Sequence, residues 1–129
     1  HTRLQGDWSS DVCSSDLLLV KSVLATFDGV EFIEAKTGQE GYDKILEHNP
    51  DILLLDYNLP DFTADVLYEK LYEKKYINKQ KIIAIISADS GKRRIEKLMK
   101  KPNIKYFLVK PINIYEFKKI IINCIGLNK

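Results

Sequence analysis

From residue 18 onward the apolar positions follow two alternating periods. Val20, Val23, Leu24 and Phe27 stand at i, i+3, i+4 and i+7, one face of a helix that Asp28-Gly29 ends. Ser15 or Asp16 would cap its start. Residues 30–35 read as a short strand. A helix is predicted over 38–48, with Tyr42, Ile45 and Leu46 inward and Asn49-Pro50 as the stop. Residues 52–55, Ile-Leu-Leu-Leu, are too short for a helix and suit a strand buried on both faces. A helix over 63–75 follows, with Thr63 as its cap and Leu67 and Leu71 inward. The next apolar strand, 81–86, ends in Ser87-Ala88. A basic helix over 92–101 would bury Ile95, Leu98 and Met99, and a strand over 105–109 leads into Lys110-Pro111. The last helix, 113–125, would bury Ile114, Phe117, Ile121 and Cys124.

Helices alternating with short apolar strands imply an α/β fold, a doubly wound parallel sheet with helices on both faces. The pattern yields four strands and five helices and opens with a helix. Sheets of this kind normally open with a strand that pairs at the centre, so the first strand is expected to be missing or replaced. Residues 1–17 occupy its place, rich in Ser and Asp and without sustained period. The run Gly6-Asp-Trp-Ser-Ser-Asp-Val-Cys-Ser-Ser-Asp-Leu17 resembles an in-frame translation of a sequencing-adapter oligonucleotide. The expectation is a non-native segment over 1–17 and a single domain over 18–127; the alternative is a natural polar tail.

Composition narrows the function classes without choosing among them. A chain of 129 residues, 45% hydrophobic and 29% charged, is long enough for one domain with a real core. The net charge of +2 argues neither for nor against nucleic acid. Cys13 and Cys124 give neither a disulfide framework nor metal-ligand spacing, which suits a reducing cytoplasm. No apolar run approaches the roughly 18 residues of a membrane span, and no signal pattern opens the chain.

The chemistry gathers at strand ends. The 52–55 run ends in Asp56, and an ionised carboxylate left in a core without a partner costs several kcal/mol. In open parallel sheets ligands sit in the crevice at the strands' carboxyl ends. Asp56, Ser87 and Lys110 would all fall on that edge. A carboxylate, a hydroxyl and an ammonium form a phosphoryl-handling set: a nucleophile, a donor to one phosphoryl oxygen, and a cation for developing charge. Magnesium would be needed as well, because a dense anion and an attacking carboxylate repel each other.

The pattern Asp56-Tyr-Asn58-Leu59-Pro60, then Ser87-Ala88, then Lys110-Pro111 resembles the receiver domain of two-component response regulators, over roughly 18–127. The resemblance implies a flavodoxin-like (CheY-like) sheet and a phosphorylation-switched signalling domain that accepts a phosphoryl group from a histidine kinase in a phosphorelay. It makes Asp56 the phosphoacceptor, Ser87 the switch hydroxyl, Lys110 the phosphate-binding lysine and Phe107 the aromatic switch residue. Asp56 and the backbone carbonyl of Asn58 would be metal ligands for Mg2+, and Lys110-Pro111 would be a cis peptide. The partners implied are a sensor histidine kinase or phosphotransfer protein, and an output partner on the 92–101 helix and the last helix, with no direct nucleic-acid or membrane binding. Such a domain is a self-phosphorylating acceptor rather than a turnover enzyme, and cytoplasmic.

Three departures stand against the family pattern. The acidic pair that closes the first strand and holds magnesium is not visible; family spacing lands on Asp11-Val12, with no apolar strand before it. Ala64 stands where Gly is usual, and Pro102-Asn103-Ile104-Lys105 replaces the usual Gly-Ala turn. Loss of the acids would favour a rival reading, a pseudo-receiver that binds partners by contact alone. An unrelated enzyme is disfavoured by the lack of a Gly-rich phosphate loop, a Ser-His-Asp set or metal-spaced His and Cys.

Overall fold

Strands of five and six residues at 52–56 and 82–87, apolar up to their last residue, lie in the interior of a five-stranded sheet that is parallel throughout. The computed structural model describes residues 2–7, 14–59, 61–74, 76, 81–87, 93–110 and 112–127. Along the chain the elements are β1 (Thr2–Asp7), α1 (Ser14–Leu24), β2 (Val30–Ala35), α2 (Gly38–His48) and β3 (Ile52–Asp56). They continue with α3 (Ala64–Glu73), β4 (Ile82–Ser87), α4 (Arg93–Met99), β5 (Ile104–Val109) and α5 (Ile114–Leu127). The strand order is β2-β1-β3-β4-β5.

Strand residues alternate between two cores, one on each side of the sheet. Ile52 and Leu54 of β3 join Ala84 and Ile86 of β4, Val20 and Val23 of α1, and Phe117 and Ile121 of α5. Leu53 and Leu55 join Ile83 and Ile85, Ile45 of α2, Leu67 and Leu71 of α3, and Ile95 and Leu98 of α4. Both faces of β3 and β4 are thus covered, which is why those strands carry no alternating polar positions.

The expected count of four strands is corrected to five. Thr2–Asp7, within the segment set apart as non-native, forms an interior strand between β2 and β3, with Leu4 opposite both Phe32 and Ile52. The main chain needs no particular side chains to fill a slot that offers a ladder on each side. Helix α1 also begins earlier than expected, at Ser14, so Ser15 and Asp16 lie within the helix and are not its cap.

Two inward assignments are corrected as well. Leu46 is exposed, because α2 turns Gly38, Gly41 and Ile45 to the sheet and Leu46 lies about a quarter of a turn past Ile45. Ile114 is exposed at the start of α5, where Phe117, Ile120, Ile121 and Cys124 make the buried face. Thr63 occupies the N-cap position of α3 without capping it; its hydroxyl donates to the Asp65 carboxylate. Helix α2 is closed at both ends: Thr37 accepts from Glu40 N–H at 3.0 Å, and Asn49, left-handed at φ 50°, donates its N–H to Ile45 O at 2.9 Å.

Candidate functional site

Three strand ends are stitched together on the carboxyl edge of the sheet. Asp56 closes β3 and is buried, opposite Ile86 of β4. Ser87 closes β4, also buried, opposite Val109 of β5. Beyond them Tyr57 N–H donates to Ile86 O at 2.8 Å, and Lys110 N–H donates to Ser87 O at 2.9 Å. The Lys110 backbone is therefore fixed to β4, and its side chain reaches back over the edge. Its Nζ donates to Asp56 Oδ2 at 2.7 Å, while Asn58 N–H donates to Asp56 Oδ1 at 3.2 Å.

That arrangement answers the problem posed by a carboxylate at the end of an apolar strand. Asp56 is 2% exposed, and an ammonium at hydrogen-bond distance offsets the cost of burying its charge. The Lys110 side chain keeps 22% of its surface, so one side of the pair faces solvent. A buried nucleophilic oxygen, a cation beside it, and a hydroxyl-bearing residue on the next strand end meet the requirements for holding a phosphoryl group. Phe107 lies on β5 opposite Ile85, half-buried against the core shared by α3 and α4. The Lys110-Pro111 peptide and Ala88 lie outside the described residues.

The first strand brings a second carboxylate to the same edge. Asp7 closes β1 opposite Leu55 and is fully buried. Its Oδ1 accepts from Gln5 Nε2 at 2.8 Å, and the same nitrogen donates to Gly41 O of α2 at 2.9 Å. A Cβ on Gly41 would come within 2.1 Å of Asp7 Oδ2, so the carboxyl is pressed on α2. Burial pushes this carboxyl up to about 7, against a smaller lowering by Gln5. Sequence reasoning passed over Asp7 because Gln5 and Gly6 break any apolar alternation before it. Asp11, the residue indicated by family spacing, lies outside the described residues.

A hard cation takes oxygen donors, and Asp56 with the Asn58 carbonyl offers it two. Among the described residues no group of three or more His, Cys, Asp or Glu could hold a metal ion. With Asp7 Oδ1 held by Gln5, its other oxygen pressed on α2, and Lys110 on Asp56 Oδ2, the described donor set falls short of a magnesium site.

The family profile described as "Response regulator receiver domain" matches residues 15–122. The chain belongs to that family. It is a receiver of the two-component type, a phosphorylation-switched signalling domain, and receivers work with histidine kinases or phosphotransfer proteins. The polar-differentiation response regulator DivK of Brucella ovis is 24% identical over 98 residues, covering 76% of this chain and 78% of the relative. The DivK of Brucella suis matches equally.

Solved structures place the receiver fold on firm ground. A CheY-like response regulator receiver domain protein from Methanospirillum hungatei superposes with a TM-score of 0.80 at 19% identity, covering 98% of this chain and 95% of the other. The signal receiver domain of the putative regulator NarL from Mycobacterium tuberculosis gives 0.78 at 20% identity, over 97% and 96%. The expected flavodoxin-like sheet is the observed one. No helix among the described residues is long and apolar enough to cross a membrane.

Proposed function

We propose that Asp56 is the phosphoacceptor of this receiver, with Lys110 and Ser87 as its phosphoryl-binding partners and Phe107 as the aromatic that follows the switch. The observation that carries the reading is the 2.7 Å bond from Lys110 Nζ to the buried Asp56 Oδ2, at the edge where β4 presents Ser87. A carboxylate oxygen of Asp56 attacks the phosphorus of a phosphohistidine. The P–N bond breaks as the O–P bond of the aspartyl phosphate forms, and the departing imidazole keeps the electron pair and takes up a proton. Lys110 meets charge on the transferring group, and the Ser87 hydroxyl donates to one of its oxygens. The domain is an acceptor loaded once per signal rather than a turnover enzyme.

The family resemblance implies Mg2+. The two donors that the described residues offer, Asp56 and the Asn58 carbonyl, do not complete its site, and no step above passes through it. We place the domain in the cytoplasm, without direct contact to nucleic acid or membrane. Its phosphoryl source is a sensor histidine kinase or phosphotransfer protein. The output surface is α4 with α5, where Arg93, Arg94, Lys97, Lys118 and Lys119 are exposed and Lys105 of β5 stands between them. Lys92 lies outside the described residues.

The test is intact-mass measurement after exposure to a small acyl phosphate with and without magnesium. One phosphoryl group should be gained by the chain and none by Asp56→Asn. A second form, with β1 replaced by an apolar strand ending in two acids, should gain it faster. If that form gains nothing, the phosphoacceptor assignment is wrong. The turned-away Asp7 favours one rival, a pseudo-receiver acting by contact; there Asp56→Asn would leave partner binding unchanged. We also read residues 1–17 as foreign to the domain, since the family match opens only at residue 15. Resequencing the coding DNA across residue 17 decides that reading.

A further inference from the structure

The loop after Asp56 is held at its base and at its tip. At the base, Ala64 N–H donates to Tyr57 O at 2.9 Å, and Asn58 pairs with Thr63 in an isolated antiparallel bridge. At the tip, the Asp61 carboxylate reaches across to α2: Oδ1 accepts from Gly38 N–H at 2.6 Å and Oδ2 from Gln39 N–H at 2.9 Å. The first N–H groups of a helix have no partner within it, and the positive end of the helix dipole lies there. Thr37 serves the next two, taking Glu40 N–H on its hydroxyl and Gly41 N–H on its carbonyl, both at 3.0 Å. Asp61 therefore supplies the acceptors that Gly38 and Gln39 need.

Two further contacts surround this one. The Phe62 ring lies so close to Gly38 that a Cβ there would meet it at 2.3 Å. From α3, Lys70 Nζ stands 5.1 Å from the centre of the Phe62 ring and 5.5 Å from that of Tyr42 on α2. Partial desolvation works against charge on Asp61, but the N–H groups of Gln39, Gly38, Asp61 and Phe62 outweigh it and hold the carboxyl below its usual range.

We propose that Asp61 is a positioning residue for the nucleophile: by tying the loop tip to α2 it sets the place of Asn58, whose N–H holds Asp56 Oδ1. The inference rests on the reading of Asp56 as phosphoacceptor. Lys110 fixes one carboxylate oxygen and Asn58 N–H the other, so the carboxylate plane is set by both. The Asn58 side is the weaker anchor, because Asn58 is exposed and its bond is the longer at 3.2 Å. A loop freed at its tip regains backbone freedom that a single bridge at its base cannot remove. The carboxylate would then turn about its own axis, and attack geometry is sensitive to such errors.

A plain helix cap would stabilise α2 and do nothing to Asp56, and the experiment separates the two roles. Asp61→Ala and Gly38→Ala are compared in the full chain with Thr37→Ala, which removes a cap without touching the loop. The readouts are the Asn58 amide resonance and its hydrogen exchange, and the rate of phosphoryl uptake from a small acyl phosphate. Asp61→Ala and Gly38→Ala should shift the Asn58 amide, speed its exchange about tenfold and slow uptake about fivefold. Thr37→Ala should lower the melting temperature and leave Asn58 and the uptake rate alone, and Asp61→Asn should recover part of both losses. An unmoved Asn58 amide in Asp61→Ala, or an unchanged rate while the parent chain is phosphorylated normally, overturns the positioning role. If neither the parent chain nor the form with an acid-ended β1 takes a phosphoryl group, the phosphoacceptor reading fails, and the amide comparison still decides the clamp.

Discussion

Strands β1 and β3 lie side by side at the centre of one sheet, and each ends in a buried carboxylate, yet they are built in opposite ways. Every residue of β3 before Asp56 is apolar, and Asp56 meets an ammonium and a backbone N–H. In β1, Leu4 is followed by Gln5, Gly6 and Asp7, all buried. Among the described residues, Gln5 Oε1 and Asp7 Oδ2 find no hydrogen-bond partner. A buried polar atom left unpaired costs on the order of 1–3 kcal/mol, so β1 occupies its slot through its backbone ladders and against its side chains. Identical strand geometry can therefore host a paired carboxylate or a frustrated one, and the ammonium at hydrogen-bond distance makes the difference. The family match includes β3 and begins after β1.

The largest effect should come from titrating the frustrated carboxyl. Asp7 binds its proton more tightly folded, at about 7, than at its ordinary 3.8, so the native state holds more protons between those values. Stability from this group is then fully present below about pH 4 and is lost as pH rises through about 7. At 1.36 kcal/mol per unit the shift amounts to roughly 4 kcal/mol. Urea midpoints at pH 5 and pH 8 should differ in that direction, and Asp7→Asn should flatten the dependence while raising stability at pH 8. A parent chain with no loss of stability between those pH values would show that Asp7 is better accommodated than its contacts indicate.

Next in size is the converse experiment on β3. Lys110→Met keeps the bulk of the side chain and removes the charge, leaving Asp56 buried with only the Asn58 N–H. Removing one partner of a buried pair costs about 3 kcal/mol or more, and Asp56→Asn in the same background should recover most of it. Denaturant unfolding of the two single variants and the double variant measures the coupling directly. If Lys110→Met is neutral, the two strand ends are alike and the contrast between them collapses.

The contrast also explains what the sequence made legible. Ile52–Asp56 and Ile82–Ser87 could be read as strands because both faces are covered, so length and apolar continuity sufficed. Asp56, Ser87 and Lys110 could be assembled because alternating elements dictate which strand ends share an edge. Strand β1 was not legible, since its pairing lies in the main chain and its side chains contradict their surroundings. Leu46 and Ile114 misled because α2 and α5 carry more apolar residues than their buried faces hold. The Asp61 contact was out of reach, because it joins positions separated by 23 residues through a loop crossing that periodicity does not encode.

The smallest effect offers the finest test of whether Asp7 is pressed on α2. Gly41 is buried, and a methyl group there would lie 2.1 Å from Asp7 Oδ2, far inside van der Waals contact. Helix propensity alone favours Ala over Gly by nearly 1 kcal/mol at an interior position. Overpacking costs typically 1–3 kcal/mol, so Gly41→Ala should come out about 1 kcal/mol destabilising despite that propensity. In an Asp7→Ala background the obstacle is gone and propensity acts alone, so the same change should turn stabilising. A double-mutant cycle by denaturant unfolding reads this reversal of sign. If Gly41→Ala destabilises equally in both backgrounds, its obstacle is something other than Asp7, and the carboxyl is free to turn toward Asp56.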